Sequence, residues 1–402
     1  MKELLTENQL EQYADVLMWG LQTARSNEYK KNDIILIRYD LPARRFAEIL
    51  FKKILKMGMH PIQRMNGSPD MEFQHYDISN DDQLIFKAPG DEELYNNING
   101  LISLRGPESI THLSSVDPKK IGKASIARKY IRDILNKREE SGDFSWTLCT
   151  FPTPAPAEHA KLDIEEYSNQ IVKACFLNEK SAVDKWKSIY TEASRIKNWL
   201  NALDADYYHM KSEKTDLKIY PGEKRKWIGI SGHNIPSFEL FLSPDYRKTT
   251  GVYFADQPSF QSGNYVKNIR VVFEKGVAVK VEAEKGEDFT RKQFNMDKGS
   301  SRLGEFSLTD KRFSKIDTFM ADTLFDENYG GQYGNSHIAL GASYSDTYDG
   351  DPSELTKELK DKLGFNDSAL HWDIINTEDK VVTARLTSGE DKIIYKDGMF
   401  TI

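Results

Sequence analysis

Residues 33–65 read DIILIRYDLPARRFAEILFKKILKMGMHPIQRM. The run Asp33–Tyr39 is short and apolar, the pattern of a strand covered on both faces. Phe46, Ile49, Leu50 and Ile54 then recur at helical spacing between Pro42 and Lys56. Gly58 stands where a helix ends on a left-handed glycine, and Met59–Met65 supplies a second apolar stretch. Strand, helix and strand in this order predict a parallel pair joined by a right-handed crossover. Upstream, Thr6 and Gln9 have capping-box spacing, and Leu10, Tyr13, Ala14, Leu17 and Leu21 follow on one helical face. Downstream, Gln83–Lys87, Gly100–Leu104 and Trp146–Phe151 are expected as strands and Pro118–Arg138 as a helix. Trp186, Ile189, Tyr190, Ala193, Ile196, Trp199 and Leu200 recur every three or four residues, which predicts a long helix with its stripe in the core.

The pattern changes near residue 205. Alternating segments now dominate: Leu217–Tyr220, Trp227–Ser231, Val266–Phe273, Val277–Ala283, Val381–Leu386 and Lys392–Tyr395. Glu274-Lys275-Gly276 between the third and fourth predicts a hairpin. Residues 287–297, 314–324 and 353–363 are expected to be helical. The chain of 402 residues exceeds the ~250–300 at which one core stops growing. The expectation is therefore a doubly wound α/β domain over 1–205, followed by a β-rich α+β domain over 206–402.

Composition narrows the function. Lys and Arg number 55 against 62 Asp and Glu, a net charge of −7. This acidic balance argues against nucleic acid as the main partner, because phosphate binding needs a basic face. Cys149 and Cys175 are too few for a disulfide framework or a thiolate zinc site, and Cys149 sits in an apolar strand as a core residue. No apolar run reaches the ~18–20 residues of a membrane span, and the start Met1-Lys2-Glu3-Leu4-Leu5 has no signal-peptide core, so a cytoplasmic protein is expected. There is no P-loop, dinucleotide fingerprint, H-E-x-x-H or nucleophile elbow.

The remaining chemistry lies in scattered carboxylates and histidines. His371-Trp372-Asp373 places two polar groups at i and i+2, which share one face of a strand. Leu324-Phe325-Asp326-Glu327-Asn328 leads through a glycine-rich stretch, 329–336, into His337-Ile338-Ala339-Leu340-Gly341. Glu239 and Glu305 lie among apolar neighbours, where an unpaired charge costs several kcal/mol, so each needs a cation. Taken singly, a surface pair, a capping histidine or a salt bridge explains each of them. Together, Glu239, Glu305, Glu327 and Asp373 with His337 and His371 form a mixed O/N set suited to two divalent cations. Such a mixture favours zinc, cobalt or manganese over magnesium or calcium.

These motifs carry a resemblance. NIPSFELFLSPD (234–245), TTGVYF (249–254), RLGE (302–305), TLFDEN (323–328), HIALG (337–341) and ALHWD (369–373) resemble, in order, those of the M29 family of metalloaminopeptidases of the thermophilic aminopeptidase T type. WTLCTFPTPAPAEHAKLDIEEY (146–167) and VDPKKIGKA (116–124) extend the likeness over nearly the whole chain. The resemblance implies that Glu239, Glu327, His337, His371 and Asp373 ligate metal and that Glu305 bridges two ions. Tyr344, seven residues after His337, is implied to ligate metal or polarise the reacting carbonyl. Also implied are two divalent ions, zinc foremost, peptide substrates with a free N-terminus, and a homodimer. Two departures stand out: Phe238 replaces a small or acidic residue beside the ligand, and the longer 329–336 stretch is expected to reshape the pocket. Residue types alone also admit a metal-dependent phosphoesterase and a non-catalytic peptide-binding scaffold that retains metal.

Overall fold

The computed structural model describes residues 4–351 and 354–402. Ile34–Tyr39 is a strand whose Ile35, Leu36 and Ile37 are fully buried. The helix Arg44–Lys56 follows, ends before Gly58 at φ +77°, and returns the chain to the strand His60–Met65. The five-stranded parallel sheet has the order His60–Met65, Ile34–Tyr39, Gly100–Arg105, Ser145–Thr150, Asn234–Ile235. Its last strand comes from well beyond residue 205. There, His233 carbonyl accepts from the Leu148 N–H at 2.7 Å. The capping box at Thr6 starts the helix Glu7–Thr23 as predicted.

A nine-stranded antiparallel sheet runs mostly through the second half, from Ala205–Lys211 to Met399–Phe400. The hairpin between Asn264–Glu274 and Val277–Lys285 turns at Gly276, φ +79°. A separate four-stranded antiparallel sheet has the order His371–Asn376, Asn335–Gly341, Leu303–Thr309, Glu239–Leu242. One apolar core extends through both halves. Trp186 of the helix Ala182–Asn201 stacks on Phe238 at 5.2 Å between ring centroids. Phe238 is therefore an aromatic that closes this core, which gives its presence beside Glu239 a packing reason. Of the predicted stripe, Tyr190 turns outward and Trp199 is only half-buried.

Three local expectations fail, at residues 83–87, 227–231 and 314–324. Residues 83–87 form no strand, because Asn80 and Gln83 make a capping box that starts the short helix Asp81–Leu84. Trp227–Ser231 is not a regular strand; only isolated bridges form, at Arg225 and Ile228. Residues 314–324 are helical only in Thr323–Asp326. The buried Asp326 carboxylate accepts from the N–H groups of Met320 and Asp322 and so ties that segment into a loop. The last predicted helix is Lys357–Leu363, capped by Thr356; the start of its predicted span at residue 353 lies outside the described residues.

Candidate metal centre

The four-stranded sheet explains why polar and apolar residues alternate in these motifs. Opposite residues in a ladder share a face. Glu305 faces Ala339, which faces Asp373; Ser307 faces both Phe241 and His337; Gly341 faces His371. One face thus carries Glu239, Glu305, His337, His371 and Asp373. The intervening residues Leu240, Phe306, Ile338, Trp372 and Ile374 are buried in the core on the other. A slip of one residue in any strand would turn its polar set into that core.

The predicted residues converge. Glu239, Glu305 and His337 each offer one atom within 4.8 Å of the others, and all three are buried. His337 Nε2 lies 3.1 Å from both Glu239 Oε2 and Glu305 Oε1. His371 Nε2 is 3.7 Å from Glu305 Oε2 and 3.6 Å from Asp373 Oδ1. Glu327 arrives from outside the sheet, at the end of Thr323–Asp326. Its side chain is only 5% exposed and lines the same cavity. Tyr344 follows the sheet, with its ring edge-on to His371 at 4.7 Å and its open surface toward the cavity.

Crowded charge governs the electrostatics. Burial pushes the Glu305 carboxyl up to about 7, and the neighbouring Glu239 adds to it. Burial and then Glu239 and Asp373 raise Glu327 well above the ordinary range. Burial opposes protonation of His371, but Asp373 outweighs it and lifts the imidazole to about 9. His337 is raised well above its ordinary value, because Glu239 and Glu305 overcome burial. Burial, followed by the charge of Glu305, holds the proton on the Tyr344 phenol. Asp373 Oδ1 is shut off from solvent and meets no hydrogen-bond donor. Four carboxylates around two imidazoles, with a buried acceptor oxygen unmet, suit divalent cations of borderline softness.

Two supporting residues were not singled out from sequence. Ser307 Oγ donates to Glu239 Oε2 at 3.0 Å, both buried. Asn234 Nδ2 donates to Glu327 Oε1 at 3.2 Å. Each had a signal: Ser307 is two residues from Glu305 on the same strand face, and Asn234 opens the Asn-x-Pro-x-x-Glu motif. The glycine-rich stretch 329–336, expected to reshape the pocket, packs elsewhere. Gly330 N–H donates to the Ile316 carbonyl and Gly334 lies against the Tyr395 hydroxyl, and none of 329–336 lines the cavity.

Comparison with known proteins gives a family, several relatives and a shared fold. The family model described as "Thermophilic metalloprotease (M29)" matches residues 6–400. Aminopeptidase T of Thermus thermophilus is 30% identical over 310 residues, 72% of this chain and 74% of that protein. Aminopeptidase AmpS of Bacillus subtilis is 29% identical over 335 residues, 78% of this chain and 79% of that protein. The solved structure of wild-type AmpT from Thermus thermophilus superposes with a TM-score of 0.78 over 98% of this chain and 99% of that one, at 24% identity, and so shares its fold. With the family match spanning all three sheets, the chain belongs to the M29 family of metalloproteases.

Proposed function

We propose that this protein is an aminopeptidase that removes the N-terminal residue of peptides at a two-cation centre. The ligands in this reading are Glu239, Glu305, Glu327, His337, His371 and Asp373, with Glu305 between the two ions. The observation that carries it is the convergence of buried Glu239, Glu305 and His337 within a family of metalloproteases. The names of the relatives, all aminopeptidases, support the exopeptidase activity. Zinc suits the mixed O/N set best, with cobalt or manganese as the alternatives. The same reading carries a homodimer, a cytoplasmic location and a division into domains at residues 1–205 and 206–402. No helix among the described residues is long and apolar enough to cross a membrane.

When bound, the cations supply Lewis-acid polarisation and the means to ionise water near neutral pH. The chain's own residues do the rest. Glu305, central to the sheet face, would be the carboxylate shared in holding the cations. Asn234 and Ser307 fix one oxygen each of Glu327 and Glu239, so the carboxylates keep their orientation through turnover. The Tyr344 phenol keeps its proton and donates a hydrogen bond to the oxygen on which negative charge develops.

A mixed peptide pool digested with chelated and with zinc-, cobalt- or manganese-loaded protein tests the proposal by mass spectrometry. Stepwise N-terminal trimming, dependent on metal, is the expected result. Turnover of aryl phosphate without turnover of aminoacyl arylamide would replace the proposal with a phosphoesterase.

A further inference from the structure

The cavity does not end at the carboxylate–histidine cluster. A single volume of about 310 Å³ continues past Tyr344 to a wall shared by Trp146 of the parallel sheet, the end of the helix Pro118–Glu140 and the segment 226–233. Most charges on that wall already have partners. His233 Nε2 is 2.7 Å from Glu139 Oε1, with its ring stacked on Trp146 at 4.4 Å. Glu140 pairs with Lys360 at 2.7 Å, and Lys197 Nζ donates to the Gly229 carbonyl at 3.0 Å.

Two groups lack a hydrogen bond on that wall and are neighbours, Asp346 and Lys226, with the charges of Lys226 and His233 both bearing on Asp346. Asp346 lies in the turn Ser345–Thr347, two residues beyond Tyr344; its Oδ1 is sealed from solvent and meets no donor. Lys226 N–H donates to the Thr347 carbonyl at 2.9 Å, and Arg225 bridges Tyr348 beside it. That pairing sets Lys226 alongside Asp346, and both line the cavity. The Lys226 ammonium makes no hydrogen bond or ion pair among the described residues. A buried acceptor left unmet costs about 1–3 kcal/mol, a cost that a donor from water or from a bound molecule in the cavity relieves.

An acceptor beside a donor matches one recurring group, the peptide unit, which offers one N–H and one C=O per residue. We propose that Asp346 and Lys226 form a subsite for the substrate main chain on the leaving side of the scissile bond. Asp346 accepts a peptide N–H and Lys226 donates to a peptide carbonyl. This rests on the aminopeptidase reading and makes short peptides, rather than single-residue amides, the favoured substrates. It also gives the loop after Asn335–Gly341 two tasks, since Tyr344 serves the reacting carbonyl and Asp346 the departing chain.

The test compares Leu-Gly-Gly with leucine p-nitroanilide, which has no peptide unit beyond the bond cut. In Asp346→Ala and in Lys226→Met, kcat/KM on the tripeptide falls about tenfold or more, while kcat/KM on the arylamide stays within about twofold. Asp346→Asn, which keeps an acceptor oxygen, loses less on the tripeptide. Calorimetric binding of the tripeptide to chelated protein reads the same contacts without turnover and weakens in the same order. Equal losses on both substrates, or tripeptide binding unchanged in both variants, would overturn the subsite. A wild-type chain that cleaves neither substrate, yet whose tripeptide binding depends on both residues, would overturn the aminopeptidase reading and leave the subsite standing.

Discussion

Asn234 donates its side-chain amide to Glu327 Oε1 across 3.2 Å, from the last strand of the parallel sheet to a loop of the carboxylate–histidine cluster. The parallel sheet therefore positions a carboxylate that lines the cavity. Replacing Asn234 by Ala frees that oxygen to rotate. Outer contacts of this kind are worth about 10–100-fold in metal affinity, and a drop of that size is expected for Asn234→Ala. Calorimetric titration of the chelated protein with zinc measures it. Unchanged affinity would mean that the bond is incidental.

Glu305→Gln is expected to abolish turnover while leaving the fold intact, as judged by circular dichroism. It is also expected to change how the chelated protein responds to pH. Burial raises the folded-state value of Glu305 from 4.5 to about 7. The stability this contributes is fully present below about 4.5 and is lost as pH rises through about 7. His371, raised to about 9 by Asp373 against the opposition of burial, loses its contribution later, as pH passes about 9. Urea midpoints of the chelated chain should fall across the first window, and Glu305→Gln should flatten that fall.

Gly229 makes a close approach that no other residue allows. Its φ is +137°, and a Cβ there would stand 2.1 Å from the Glu239 carbonyl oxygen. Gly229→Ala is expected to destabilise the chain by about 1–3 kcal/mol and to lower activity by displacing Glu239. Gly389 also has a positive φ, +88°, but no atom within 4 Å of its would-be Cβ. Gly389→Ala should cost less and leave activity unchanged. Denaturation midpoints and peptide turnover of the two variants check the contrast.

Phe238 is fully buried against Trp186 and Phe176. Phe238→Ala is expected to cost about 3–5 kcal/mol, the usual range when a buried aromatic leaves a cavity. Because Glu239 is the next residue, zinc affinity should fall with stability. Phe238→Leu, which retains most of the volume, should recover both. A stability loss below about 1 kcal/mol would show that the aromatic cluster is not what braces this strand.

Much of the fold was legible because its signals are local. The capping box at Thr6, the apolar run at 34–39 and Gly58 depend on neighbours a few residues away, and each forms as read. The segments 83–87 and 314–324 were misread because Asn80 in one and Asp326 in the other redirect the backbone through side-chain hydrogen bonds. Apolar content does not register that competition. Trp227–Ser231 was misread because its course is set by contact with Glu239–Leu242 and with residue 348, both distant in sequence.

The residues of the cluster were determined by the sequence alone. The alternation in RLGEFSLTD, HIALG and HWDII puts Glu305, His337, His371 and Asp373 on one side of their strands whatever surrounds them. Where those strands lie was a matter for the tertiary structure. The ladders 305–339–373 and 307–337 bring separate segments to one point, and Asn234 orients Glu327 from another sheet. Alternation follows from the geometry of a single strand, whereas register follows from packing the opposite faces into a shared core. The unmet Asp346 oxygen beside Lys226 belongs to the second kind, since only the folded chain shows which polar atoms remain without a hydrogen bond.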